Sequence, residues 1–409
     1  MSPQPDNLGY QYVGSLIVNG LSSVFLLRNT GAPQAIYNQG GIWGWTGLDD
    51  PKETPVLVTP MGVQAVGNAF VMCGLDSFGA MWAGQGSSMR APWSWAEVPV
   101  PTSAPVFTTF MGAGEVNGLA SVFGLDTTGN LWVCQNRGGQ WQWTDLAAPL
   151  GGVTMKAFLD LVPLGNSSAI IAAASDGTLW SCASTNASTW SWTQCGGVPA
   201  ANGPATTTFQ YMGHLVVGGL LSMFMLTETG EVQALYNQGG VWKWQNLTNQ
   251  SQPNAPVGPS LVTSMQVQMV GNQGGVYGLD IYGNLWAGTG GSMGTAWTWT
   301  QANLATRSTT LVVPMGVGFV GSITCVFGLD SGGDLWVCSY QGGKWQWDNL
   351  TELVAGPTLR YPVGVIRLGD ALNSAVIGQT SDGVMWSCGY IGGHWTWYMC
   401  GNAPVSNLE

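Results

Sequence analysis

The chain has 409 residues, 45% hydrophobic and only 8% charged, enough apolar matter for a large core and few ionic groups for its surface. Its 21 acidic against 10 basic residues give a net charge of −11, with the basic ones scattered from Arg28 to Arg367, which excludes the basic stripe that phosphate-tracking nucleic-acid binding needs. No run of about 18 apolar residues occurs, so no helical membrane span is expected. The first residues, MSPQPDNLGYQYVG, lack the charged and apolar regions of a signal peptide. The reading is a soluble protein, cytoplasmic or exported by a non-classical route.

The chain resolves into repeats from its first strand onward. The first unit (10–55) ends in AIYNQGGIWGW, with Trp43 and Trp45. The second (56–103) runs from PMGVQAVGNAFVMCGLD through the turn GLDSFGAMW to Trp93 and Trp95. The third (104–152) carries GLDTTGNLW before Trp141 and Trp143, and the fourth (153–203) carries SDGTLW before Trp190 and Trp192. In the fifth (204–256), ALYNQGGVWKW repeats the first, with Trp242 and Trp244; in the sixth (257–306), GLDIYGNLW leads to Trp297 and Trp299, as in the second. The seventh (307–357), with GLDSGGDLW, Trp345 and Trp347, matches the third; the eighth (358–405), with SDGVMW, Trp395 and Trp397, matches the fourth.

Eight W-x-W pairs thus recur at intervals of 48 to 55 residues. Each is preceded by another aromatic: Tyr37, Trp82, Trp132, Trp180, Tyr236, Trp286, Trp336 or Trp386. Asp and Gly at the turns supply side-chain-to-backbone bonds and positive φ. About four up-and-down strands per unit make a propeller blade. The expected fold is all-β: a single eight-bladed β-propeller of four-stranded antiparallel blades, one domain over 1–409, with a pseudo-two-fold four-plus-four repeat. Two tandem four-bladed propellers are the alternative; no Gly/Ser or charged linker separates the halves.

No C-x-x-C occurs among the eight cysteines, so no metal site is expected. Cys182 with Cys195, Cys388 with Cys400 and Cys325 with Cys338 sit where each pair could close a hairpin by a disulfide; Cys73 and Cys134 read as buried thiols.

Residues i and i+2 of a strand share a face, so both indoles of a pair project together. One use is structural: wedges between blades, each burying roughly 150 to 250 Å². The other is to stack on the C–H face of a sugar ring. For that use the candidates are Trp45, Trp95, Trp143, Trp192, Trp244, Trp299, Trp347 and Trp397, with Asn38, Gln39, Asn136, Arg137, Asn237, Gln238, Tyr340 and Gln341 as partners for the hydroxyls. Repetition would give such weak sites avidity.

The pattern L-x-x-x-G-x-L-W followed by W-x-W, over residues 10 to 403, resembles the tectonin-like and related β-propeller lectins. The resemblance implies carbohydrate recognition between blades, with glycans or glycoconjugates as partners, no catalytic residue and no cofactor. Those lectins usually have five to seven blades, one departure from the pattern here. The rival classes are a protein-interaction scaffold and, less well supported, a quinoprotein-like or hydrolytic enzyme. The recurrent acids Asp76, Asp126, Asp176, Asp280, Asp330 and Asp382 stand at turns, where a carboxylate holds structure rather than catalyses.

Overall fold

The structure, a computed structural model, describes residues 9–49, 54–66, 69–99, 107–146, 153–164, 167–184, 186, 189–200, 203–206, 208–248, 258–302, 310–369 and 373–401. Among the described residues there are 33 strands and one short helix, Leu350–Leu353, capped by the Asn349 side chain. No helix among them is long and apolar enough to cross a membrane.

The strands fall into eight consecutive antiparallel sets: sheet one from Tyr10 to Gly47, two from Leu57 to Val98, three from Phe107 to Asp145 and four from Met155. Sheet five runs from Phe209 to Asn246, six from Leu261 to Ala302, seven from Leu311 to Asn349 and eight from Tyr361 to Gly401. Sheet four has a fifth strand, Gly203–Thr206, paired with Trp190–Ala200. In sheets one, two, five, seven and eight the first strand carries an irregularity, at Gly14, Gly62, Gly213, Gly316 and Gly364; such bulges sharpen strand twist.

The turns joining second to third strands show why Asp recurs in them. Oδ1 of Asp126 accepts the backbone N–H groups of Thr128 (2.8 Å) and Asn130 (2.9 Å), while Oδ2 accepts the indole N–H of Trp132 (2.9 Å). The same clasp joins Asp76 to Trp82 (3.0 Å), Asp280 to Trp286 (2.9 Å) and Asp330 to Trp336 (3.0 Å). Desolvation opposes ionisation at Asp76, Asp126 and Asp280, yet these hydrogen bonds prevail and hold the three carboxyls below their ordinary range. In sheets one and five the register puts Gln34 and Gln233 at the clasp tryptophan's position, with Arg28 and Thr227 in place of the aspartate. Tyr37 and Tyr236 stand three residues further along and face Ser23 and Ser222 instead.

The chain divides into two compact units. The first contains sheets eight, one, two and three; the second contains sheets four to seven. Within each unit neighbouring sheets stack on one another; the first strands of sheets one, two and three lie side by side, as do those of five, six and seven. Separate apolar clusters fill the interfaces of sheets eight and one, one and two, and two and three. The second unit repeats this between four and five, five and six, and six and seven. Neither unit coincides with a half of the sequence repeat.

All eight cysteines are buried free thiols, which corrects the expectation of three disulfides. Cys325 pairs with Ser339 and Cys338 with Val326, so their side chains leave opposite faces of the sheet. Cys388 lies opposite Trp397, three residues short of Cys400, and Cys195 turns its thiol toward the carbonyl of Thr193 (3.8 Å) rather than to Cys182. Burial pushes Cys73, Cys195, Cys325 and Cys400 up to about 12 and raises the other four as well.

Candidate functional site: the grooves between sheets

The two tryptophans of each W-x-W pair share a face yet do different work. The second is a staple to the preceding sheet. Trp95 donates its indole N–H to the carbonyl of Leu48 (2.7 Å), Trp299 to Leu247 (2.8 Å), Trp45 to Cys400 (2.7 Å) and Trp244 to Cys195 (2.9 Å). Trp143 reaches Pro99 (3.1 Å) and Trp347 reaches Ala302 (3.2 Å). In these six sheets, the polar atom of the second indole is therefore committed to its neighbour. Trp192 and Trp397 are half-buried.

The first tryptophan stands nearer the turn that joins the third and fourth strands. Its environment differs between sheets because the residue facing it across the third and fourth strands differs. That residue is Gly86 against Trp93 and Gly290 against Trp297. There the indole lies flat on the backbone, so a Cβ on either glycine would come within 2.4 and 2.5 Å of the ring. The loops 87–92 and 291–296 then fold over, burying Met89 and Met293 and sealing both tryptophans from solvent. Each loop is tied to the preceding sheet. Asn19 Nδ2 donates to Ser87 O (2.7 Å) and Arg90 bonds Gln39; Gln245 takes the N–H of Gly294 (2.7 Å) and donates to Thr295 O (2.6 Å). The one-to-two and five-to-six grooves are roofed.

In sheets one, three, five, seven and eight only two residues join the third and fourth strands, and the first indole stays half-buried at Trp141, Trp242, Trp345 and Trp395, with Trp43 deeper. Asn38, Asn136 and Asn237 face Trp43, Trp141 and Trp242. Their Oδ1 atoms accept the N–H of Gly41 (3.1 Å), Gly139 (2.9 Å) and Gly240 (3.1 Å), so each amide also closes its own hairpin. Tyrosine takes this place in sheets seven and eight. Tyr340 lies 4.9 Å from Trp345 with the rings inclined at 52°, and Tyr390 lies 5.4 Å from Trp395 at 75°.

Gln39, Arg137, Gln238 and Gln341 project from the opposite face of their strands, by the alternation of the register. Gln39 serves the roof of the next groove, Gln238 accepts from Lys243 Nζ (2.7 Å), Arg137 donates to Gln135 (2.8 Å) and Gln341 to Ser339 (3.3 Å). The expected sugar-binding set is thus divided between groove faces, turns and sheet backs.

One cluster of titratable groups escaped the sequence reading. His214 Nδ1 lies 2.6 Å from Asp160 Oδ2, which also accepts the Tyr211 hydroxyl, while Asp160 Oδ1 accepts the N–H of Leu161 (2.8 Å). Burial, with Asp160 alongside, raises the Tyr211 phenol. The signal was present: Asp160 is the sixth residue of its first strand, where sheets two, three and seven have Gly62, Gly112 and Gly316. Its counterparts in the other sequence half are Gly364 for Asp160 and Ser15 for His214. Among the described residues, no group of three or more His, Cys, Asp or Glu side chains is placed to hold a metal ion.

Four-stranded antiparallel sheets stacked through their faces define a β-propeller fold. One solved propeller structure agrees at that level. The chain superposes on the Dos1 propeller with a TM-score of 0.50 at 10% identity, covering 93% of this chain and 89% of that one. The BP39L lectin from Burkholderia pseudomallei gives 0.45 at 17% identity over 83% and 95% of the two chains. The fucose-specific lectin from Aleuria aurantia gives 0.35 at 14% identity over 71% and 93%. No protein-family model and no curated protein matches the sequence.

Proposed function

We propose that the protein is a non-catalytic, multivalent carbohydrate-binding β-propeller, one domain of eight blades, whose sugars lie in the unroofed grooves against the first tryptophan of the W-x-W pair. The observation that carries this reading is the division of labour within the pair. In six sheets the second indole is committed to a carbonyl of the neighbouring sheet, whereas Trp141, Trp242 and Trp345 keep part of the ring free beside a groove. An indole face of this kind matches the apolar face of a pyranose, and its polar rim needs hydroxyl and amide partners. The single eight-bladed ring draws support from the stacking of sheet eight on sheet one and of sheet four on sheet five. Two tandem four-bladed rings would instead place sheet four against sheet one.

A glycan array probed with the intact chain tests the function. Saturable binding to at least one neutral glycan is expected, and silence across the array under multivalent display would overturn it. One observation favours the protein-docking reading instead: Phe78 and Tyr282, at equivalent turn tips of sheets two and six, are 93% and 77% exposed, and exposed aromatics are enriched at interfaces. That reading requires an array-negative protein whose partner binding is lost on Phe78→Ser.

A further inference from the structure

Of the six grooves inside the two units, the one between sheets six and seven combines aromatic rings with hydroxyl side chains. Trp345 stands on Tyr277 of sheet six, the rings 6.4 Å apart and nearly perpendicular at 88°. Tyr277 is buried at the base, and Tyr340, 42% exposed, rises beside Trp345 at the mouth. The facing wall follows from the register of sheet six. Tyr277 pairs with Ala287, Gly275 with Thr289 and Thr289 with Thr298, so Thr289 and Thr298 share the face of Tyr277 that packs toward sheet seven. Thr298 is exposed and Thr289 half-buried. The groove therefore has two rings meeting at an angle on one side and a pair of hydroxyls on the other.

The side chains that form these walls carry no charge. Lys344 and Asp348 leave the opposite face of their strand, since Lys344 pairs with Gln341 and Asp348 with Val337. A carboxylate drawn into this space would lose water and find no cation, a cost that its own hydroxyls do not repay. A neutral sugar loses little. Its C–H face covers the Trp345 indole, one edge meets the Tyr340 ring, and its rim reaches the threonine hydroxyls.

The two-to-three groove is the counterpart in the other half of the repeat, and it is plainer. Cys73 replaces Tyr277, Asn136 replaces Tyr340, and Ser94 and Gln85 replace Thr298 and Thr289. It offers one ring, Trp141, where its counterpart offers a corner of two.

We propose that the groove walled by Trp345, Tyr340, Thr289 and Thr298 is a site for uncharged pyranosides, and that Tyr340 makes it the stronger of two pseudo-equivalent sites, the weaker lying at Trp141. The proposal rests on the carbohydrate-binding reading above.

The test is a calorimetric titration of the full chain with methyl glycosides of glucose, galactose and mannose, and with the uronates of glucose and galactose. At least one neutral glycoside should bind, and the uronates should bind at least about tenfold more weakly, since no cation repays the buried charge. Tyr340→Asn, which installs the residue found in sheets one, three and five, should weaken the tighter class of sites about tenfold through loss of one aromatic wall. The reciprocal Asn136→Tyr should strengthen the weaker class. Tyr340 is at the surface, so the folded state of its variant is not in question; circular dichroism checks it. Uronates bound as tightly as neutral glycosides, or a neutral glycoside whose affinity is unmoved by both swaps, would overturn the site while leaving carbohydrate binding intact. No binding of any glycoside in the parent chain, with the array also silent, overturns the reading and the site together.

Discussion

The indole N–H of Trp95 donates to the carbonyl oxygen of Leu48, 47 residues earlier in the chain, at 2.7 Å and out of reach of water. The bond is a strut between sheets one and two, repeated between five and six by Trp299 and Leu247 (2.8 Å). Trp95→Phe and Trp299→Phe keep most of the ring but leave a buried carbonyl without its donor, so each should cost about 1–3 kcal/mol. Trp143→Phe, whose acceptor Pro99 is at the surface, should cost well under 1 kcal/mol, because water replaces the lost donor. Urea denaturation of the three variants measures the contrast.

The clasps make stability sensitive to acid. A carboxyl that is more acidic in the native state stabilises the fold only while ionised. The contribution of Asp76, Asp126 and Asp280 is complete above the ordinary value of 3.8 and is lost as pH falls through their lower native values. The melting temperature should be flat between pH 7 and 5 in this respect and fall below about pH 4. Asp126→Asn should flatten part of that fall. A double-mutant cycle with Trp132→Phe should return a coupling of about 0.5–3 kcal/mol.

The thiols should be inert in the folded protein. Maleimide at neutral pH should label none of the eight rapidly in the native state and all eight after unfolding, without reductant, because burial disfavours the thiolate. The raised values add a second consequence. Since the unfolded thiols ionise first as pH rises, stability should decline above about pH 9.

Asp160 and His214 form one pair without a counterpart in the other half of the repeat. His214→Ser removes a partner from a carboxylate that remains in place, and Asp160→Gly restores the residue of Gly364. The double variant should be more stable than the sum of the two single losses predicts, by about 0.5–3 kcal/mol. Simple additivity in thermal denaturation would show that the 2.6 Å contact contributes nothing.

How far the sequence could be read follows from which contacts are local. The W-x-W spacing and the Asp-Gly turns gave the sheets because a hairpin is written within about ten residues, and Asp126 clasps Trp132 only six positions away. The roles of the indoles were not legible, since the acceptor of Trp95 lies in another repeat and that of Trp45 lies 355 residues off. Cys325 and Cys338 looked like a bridge across a turn until the register placed them one residue out of phase, on opposite faces. Tyr37 mimicked a clasp aromatic by order in the sequence but stands three positions from the equivalent site, which Gln34 occupies. Tyr340 was legible as a candidate, although as a polar partner rather than as a second wall beside Trp345.

The central claim is that sugars contact the first, half-buried indoles and not the stapled second ones. Indole N–H resonances followed by two-dimensional NMR during titration with a neutral glycan from the array test it most directly, with assignment by single Trp→Phe variants. The account predicts saturable shifts at Trp345 and Trp141, with Trp95 and Trp299 unmoved. Shifts confined to the stapled indoles, with Trp141 and Trp345 silent at saturation, would contradict it.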